Sequence, residues 1–337
     1  MLKFMETLSR YLPQLFTADI KQNSNDVLSM NVEDNPSRAS QSLPFVPCAM
    51  HIYTPSDVNM CTERFKRKWD APLRITFVGD SRNRNTMQEM IRTLIKELNL
   101  YTEGEDLNYL IYYLKDNKGK FYIPIKGDNI EIYFIWAPIL DARSFKMNIY
   151  GAAKIGARDI FEVWSEGKSW KNVNSNTTFP VPHLLVVNTG MWHTSDTQTD
   201  EAVSDFIHTM HIMTPLMEKL SMRTRVLWPL HGPVKENIAL TPAHVVTPAL
   251  DMMNSIAWLK LKKSKVWLWD TRTILMMHQK QECFSFYEAG LNKNLPHGWG
   301  CSDFQHTGRD VERGSVNMAW NLICNSLMNR KAIHCCS

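Results

Sequence analysis

Five short apolar runs recur along this chain with turn residues at their ends: Arg74 to Val78, Ile130 to Trp136, Leu184 to Val187, Arg225 to Trp228 and Val266 to Trp269. Runs of that length without polar alternation read as strands buried on both faces. Between them lie segments with helical spacing, such as Thr86, Met87, Met90, Ile91, Leu94, Ile95 and Leu98, and the stretch from Val203 to Leu220. Strands that alternate with helices pair in parallel through right-handed crossovers, with helices on both faces. The expected fold is an α/β three-layer sandwich around a mostly parallel central sheet. Reactive residues in such sheets sit at the carboxyl ends of the strands. Ser81, the Asn188-Thr189-Gly190 turn, the Pro229 to Pro233 loop and Asp270 all fall there. The longer stretches Tyr101 to Lys126 and Ala142 to Thr178 read as insertions able to supply a substrate-binding rim.

The first run leads straight into Gly79-Asp80-Ser81-Arg82. A serine at a strand-to-helix junction faces the free N–H groups and the positive end of the helix dipole, where a developing oxyanion is stabilised. Serine is a poor nucleophile at neutral pH and needs an imidazole within hydrogen-bond reach, itself oriented by a carboxylate. Asp303-Phe304-Gln305-His306 supplies both, just before a helical run through Val311, Met318, Leu322 and Ile323. Ser81, His306 and Asp303 are therefore the candidate catalytic residues. Plainer readings exist for each: a helix-capping serine, a capping aspartate and a surface histidine.

Asn188 ends the third run, either as an oxyanion donor or as an ordinary strand-terminating turn. Arg82 and Arg84 stand beside the serine, to hold a carboxylate or sugar hydroxyl or to anchor a loop. Trp136, Trp192 and Trp299 suit either sugar stacking or packing. His193, His231 and His297 have no partner at a telling spacing and receive no role.

The 337 residues, 44% of them hydrophobic, suffice for one large core. Residues 18 to 44 are polar and rich in Asn, Ser and Asp, so residues 1–44 read as a flexible lead-in and 45–330 as a single catalytic domain. The net charge of +4 is scattered, with basic clusters at Arg64 to Lys68 and Lys260 to Lys265. Such clusters are solvated faces or patches for an anionic glycan or membrane surface. No recognisable motif accompanies them, so a nucleic-acid partner is not expected.

The seven cysteines include no CxxC pair and no zinc spacing, so no metal is expected. Cys48 and Cys61 precede the Ser81 strand, and two more bracket the Asp303 to His306 segment, where disulfides would pin a loop. With the sequon Asn176-Thr177-Thr178, they point to an oxidising compartment. Met1 to Phe16, interrupted by Arg10 and Pro13, does not read as a signal peptide, and no apolar run reaches the roughly 18 to 20 residues of a membrane span. The chain reads as soluble: either it is cytosolic, or an N-terminal anchor lies outside it. No Gly-rich phosphate loop occurs, and no cofactor is needed.

The blocks Phe77-Val78-Gly79-Asp80-Ser81-Arg82, Val187-Asn188-Thr189-Gly190-Met191-Trp192, Trp269-Asp270-Thr271 and Asp303-Phe304-Gln305-His306-Thr307, in this order, resemble the SGNH (GDSL) hydrolase superfamily. The resemblance spans residues 45 to 325. It is nearest to the PC-esterase branch, which includes plant wall-polysaccharide O-acetyltransferases and the lumenal domain of animal sialic acid O-acetyltransferases. It implies a flavodoxin-like sheet, with Ser81 as nucleophile, His306 as base, Asp303 as its orienting partner and Asn188 as oxyanion donor. Gly190 and Arg82 would stand beside the substrate.

Two departures stand out. The plant-type pattern has histidine or a second tryptophan near Trp192, where this chain reads Gly190-Met191-Trp192-His193. The superfamily's second-block glycine has no unambiguous counterpart among Gly104, Gly119, Gly127 and Gly151. The implied activity is that of a secreted or Golgi-lumenal serine esterase or O-acyltransferase, moving acetyl groups on carbohydrate. Its partners would be an acyl donor with a carbohydrate acceptor, or an acetylated glycan. Two alternatives remain: a catalytically inactive glycan-binding or scaffold protein of the same fold, disfavoured by the intact Ser, Asp and His, and a lipid or protein deacylase, which would need a wide apolar groove.

Overall fold

The computed structural model describes residues 50–94, 98–101, 122–141, 157–171, 178–194, 199–234, 243–289, 301 and 306–329. The chain separates into two compact units, one of Met1–Ile52 and Asn321–Ser337 and the other of Tyr53–Trp320. In the smaller unit, the Asn321 side chain accepts from the His51 N–H at 3.0 Å and donates to the His51 carbonyl at 2.8 Å. The proposed lead-in and the sequon's Asn176 lie outside the described residues.

The larger unit is built on α1 (Pro55–Trp69), β1 (Leu73–Gly79), α2 (Ser81–Leu94), β2 (Tyr122–Lys126), β3 (Ile130–Trp136), α3 (Arg158–Ser165), β4 (Trp170–Lys171), β5 (Thr178–Phe179), β6 (Leu184–Val187), α4 (Thr199–Ser221), β7 (Arg225–Pro229), α5 (Ala243–Leu261), β8 (Trp267–Trp269), α6 (Thr271–Glu288) and α7 (Arg309–Cys324), which runs on past its boundary. The first helix starts where local chemistry dictates. Pro55 stands in its first turn, and Thr54 and Asp57 satisfy each other's backbone N–H groups.

The five apolar runs are the five parallel strands. The six-stranded sheet has the order β2-β3-β1-β6-β7-β8, with β2 antiparallel to β3 and all other pairs parallel. Leaving the antiparallel edge aside, the parallel strands stand in the flavodoxin-like order second, first, third, fourth, fifth. β1, at the centre, is buried along six of its seven residues. Register pairs Phe77 with Phe134 and Val78 with both Ile135 and Val187. The aliphatic run forms a strand because β-branched and aromatic side chains fit a pleated, doubly covered surface.

Two features were not legible beforehand. The edge strand β2 and strand β4 fall within the expected insertions and β5 straddles the end of the second; β2, though mostly apolar, is interrupted by Pro124, and β4 and β5 are two residues each. Part of the second insertion is core: Ile160, Phe161, Trp164 and Phe179 are fully buried, and the Trp164 indole donates to the Phe179 carbonyl at 3.0 Å. Cys283 and Cys301 form a disulfide, and Cys61 and Cys324 are also disulfide-bonded, which suits a secreted or lumenal setting. Among the described residues, no helix is long and apolar enough to cross a membrane.

Candidate active site

The chain leaves β1 in opposite directions toward β3 and β6, so the crevice between the carboxyl ends of β1 and β6 is the topological switch point of the sheet. Ser81 opens α2 at that spot. The helix cap is Asp80, not the serine: its Oδ1 accepts from the Arg82 N–H at 2.8 Å, and its carbonyl accepts from Arg84 at 3.1 Å. With the capping done by its neighbour, the Ser81 hydroxyl is available elsewhere. As first residue of the helix, its N–H also stands ahead of the intrahelical ladder.

Close backbone approach fixes the turn. Gly79 has φ +144°, and a Cβ there would come within 2.5 Å of the Asn188 carbonyl oxygen. No other residue lets the ends of β1 and β6 lie so close. The Asn83 amide donates to the Val78 carbonyl at 2.8 Å and closes the loop from inside.

His306 completes a contact across 225 residues of sequence: its Nε2 lies 2.6 Å from Ser81 Oγ. A serine hydroxyl donates to that nitrogen when the ring proton is on Nδ1, the arrangement in which imidazole accepts the serine proton during attack on a carbonyl. Asp303 lies outside the described residues.

The histidine's segment is held by a carboxylate that the sequence did not single out. Glu312, buried in α7, accepts from the Thr307 hydroxyl, from Thr86 Oγ1 of α2 at 2.6 Å and from Arg272 of α6 at 2.7 Å. One side chain thus ties the residue after His306 to the helix that Ser81 begins. A parallel tie runs from Arg309 and Arg313 to the buried Glu89 of α2, at 3.4 and 3.7 Å. The sequence carried no hint: Glu312 sits in the first turn of α7 beside Asp310 and Arg313, where a carboxylate is ordinarily solvated.

The other candidates stand nearby. Asn188 is buried, and its amide nitrogen donates to the Pro229 carbonyl at 2.5 Å, which leaves the amide's second N–H. Gly190, at φ +150°, presses against the His231 ring, so that a side chain there would collide with it. The Arg82 guanidinium is buried and donates to the Gly232 carbonyl at 3.2 Å, anchoring the loop after β7. Arg84 lies over Trp136, with its pKa lowered by burial against a smaller opposing pull from Asp80. Trp136 meets Trp192 edge to face at 5.8 Å, forming a half-buried aromatic wall.

Two histidines without expected roles turn out to be structural. His231 Nε2 donates to the Thr189 carbonyl at 2.7 Å, and burial pushes its pKa down to about 3. His193, close to Thr189 Oγ1, is pushed by burial to about 4. Both are neutral at physiological pH and brace the Asn188-Thr189-Gly190 turn. Asp80 Oδ2, Asn188 Oδ1 and His231 Nδ1 are buried with no hydrogen-bond partner among the described residues, so polar atoms face the crevice. Among the described residues, no cluster of His, Cys, Asp or Glu could hold a metal ion.

No family model matches the chain. It is 21% identical over 223 residues to the N-acetylneuraminate (7)9-O-acetyltransferase of Danio rerio, covering 65% of this chain and 22% of that protein. The match thus spans about a fifth of the length of that relative. Among solved structures, a GDSL-like lipase from Parabacteroides merdae aligns at a TM-score of 0.35 and 12% identity, over 77% of this chain and 97% of that one. A peptidoglycan O-acetylesterase aligns at 0.39 and 8%, over 82% and 97%. At such scores the fold rests on the sheet order itself. The sequence match agrees with the four residue blocks in relating this chain to the SGNH/GDSL-like hydrolases.

Proposed function

We propose that the chain is a serine-dependent acyl-ester hydrolase or O-acyltransferase that works on O-acetyl groups of carbohydrate. The observation that carries this reading is the 2.6 Å contact between Ser81 Oγ and His306 Nε2 at the switch point of the sheet. Ser81 attacks the acyl carbonyl while its proton passes to His306 Nε2, with Asp303 orienting the ring through Nδ1–H. The tetrahedral oxyanion is held by the Ser81 N–H and the second N–H of Asn188. Collapse expels the alcohol, which takes the proton from His306 and leaves an acetyl ester on Ser81. A second oxygen nucleophile, water or a sugar hydroxyl, then loses its proton to His306 and takes the acetyl group, restoring the serine.

The half-buried Trp136 and Trp192 offer rings on which a sugar can stack, and Gly190 leaves backbone room beside them. The similarity to a sialate O-acetyltransferase supports acetyl as the transferred group. Residues 45–330 would form the catalytic domain, and the Golgi lumen or the secretory route would be its setting. The inactive-scaffold reading loses ground because the Ser81 hydroxyl is released from capping and paired with an imidazole. Acetate release from an O-acetylated sialoside tests the proposal. Turnover that disappears in Ser81→Ala and persists in a variant of the exposed Lys168, Lys168→Ala, is the expected result. Equal background release from wild type and Ser81→Ala would overturn it.

A further inference from the structure

The edge of the sheet opposite Ser81 carries a second chemistry. Arg223 and Arg225 enter β7, and Lys260, Lys262, Lys263 and Lys265 lead from α5 into β8; all six are exposed. Neither stretch, 219–226 or 252–269, contains an acidic residue. Met222, Arg223, Arg225, Lys265 and Trp267 line a common shallow hollow of ≈ 430 Å³. Glu166, in the turn against which Arg223 packs, is paired with Lys168 at 2.8 Å.

The fold presents these cations deliberately. Leu261 and Val266 are buried and point the intervening lysines outward. Ser264 fixes that spacing, donating to the Leu261 carbonyl at 2.7 Å and accepting from the Val266 N–H at 3.1 Å. Two tryptophans are interleaved: Arg225 lies 4.9 Å over Trp267 and Lys262 lies 4.3 Å over Trp258.

We propose that this edge binds a linear sulfated polysaccharide. Six cations spread along two adjoining segments, with no buried donor among them, suit a polymer of repeated negative charges better than a single small anion. The stretch Leu261-Lys262-Lys263-Ser264-Lys265-Val266 sets one basic pair and one single lysine between two buried apolar residues. Rings beside the charges suit pyranose faces. Anionic lipid headgroups would be drawn to the same cations, but Arg223, Arg225, Lys265 and Trp267 line a hollow that a chain laid along it fills and a flat bilayer leaves empty. Nucleic acid has the charge, but the disulfides suit a secreted or lumenal setting, where sulfated glycans are the common polyanions. A glycan held here lies at the amino ends of the strands, away from the Ser81 crevice, so it tethers the protein without occupying the reacting site.

Binding of the full chain to heparin, followed by titration calorimetry at two salt concentrations, tests the proposal. The triple variant Lys262→Glu, Lys263→Glu, Lys265→Glu is expected to lose about tenfold or more in affinity and most of its salt dependence. Its melting temperature and its hydrolysis of p-nitrophenyl acetate should match wild type. A control triple with the same change in net charge, Lys66→Glu, Arg67→Glu, Lys68→Glu on α1, should change binding little. Equal losses in the two triples would reduce the effect to bulk charge and overturn the site. Binding to phosphatidylserine vesicles or to an oligonucleotide that exceeds heparin binding and is lost in the first triple would overturn the choice of partner.

Discussion

Ser81 and His306 meet in one hydrogen bond, but the two sides of it are assembled by opposite means. On the serine side, everything needed lies between Val78 and Arg84: a buried strand end, a glycine that admits the Asn188 backbone, an aspartate cap and an asparagine that closes the turn. On the histidine side, nothing local suffices. His306 precedes α7 and is fixed through Thr307 and Glu312 to Thr86 and Arg272, residues of two other helices. A nucleophile can be positioned by a strand-to-helix turn, whereas its base must be brought in by tertiary contacts.

The largest expected effects treat both sides as one unit. Ser81→Ala and His306→Ala should each lower kcat for p-nitrophenyl acetate by about 10³-fold or more, and the double variant by no more than either alone. Additive losses in a steady-state assay would separate the two sides and break the comparison. Next, Glu312→Ala leaves Arg272 buried without its carboxylate and should cost about 3–5 kcal/mol in denaturant unfolding. Where the variant still folds, kcat should fall far more than KM changes, because the base is displaced while the crevice is not.

That contrast also explains what could be read from the sequence. The five parallel strands were legible because each is an apolar run between turn residues, and the serine was legible because its placement needs only its own neighbours. Glu312 was not, since a first-turn glutamate looks like any solvated helix end until Thr86 and Arg272 converge on it. His231 and His193 were passed over for the same reason: their partner, the Thr189 turn, lies tens of residues from His231 and is recognisable only in the fold. Arg82 was read as either a ligand contact or a loop anchor, and its guanidinium donates to the Gly232 carbonyl of the loop after β7, a partner 150 residues away that the sequence does not reveal. The short strands β2, β4 and β5 escaped because pairing, not composition, makes them strands.

Smaller effects sharpen the difference. Removing the Cys283–Cys301 disulfide, which closes a separation of 18 residues just before the histidine segment, should cost about 3 kcal/mol of stability, read by thermal melting of the double variant Cys283→Ser, Cys301→Ser beside wild type. Gly79→Ala should cost about 1–3 kcal/mol on the serine side, because the new Cβ meets an immovable carbonyl as well as an unfavourable φ. Gly190→Ala should cost at least as much, since its new Cβ meets the His231 ring, which is buried and hydrogen-bonded to the Thr189 carbonyl. A loss at Gly79 far below that at Gly190 would show that the Asn188 backbone yields.

A pH dependence tests the same turn through its protonation rather than its packing. His231 and His193 have folded pKa values depressed from 6.5 to about 3 and about 4, so the unfolded chain takes up protons first as pH falls. Stability is therefore complete above about pH 6.5 and declines below it, by up to about 1.4 kcal/mol per pH unit for each histidine until its folded pKa is reached. His183, lowered to about 4, adds to the same trend. Urea unfolding between pH 7 and pH 5 measures the slope, and a flat profile would mean that the two histidines do not brace the turn as neutral rings.

The most direct test of the central claim is intact-mass spectrometry of the protein mixed rapidly with p-nitrophenyl acetate and quenched in acid. A single acetyl adduct that maps to Ser81, is absent in Ser81→Ala, and forms far more slowly in His306→Ala is the expected result. An adduct that persists undiminished in Ser81→Ala, or one that forms at the wild-type rate without His306, would contradict a serine activated by that histidine.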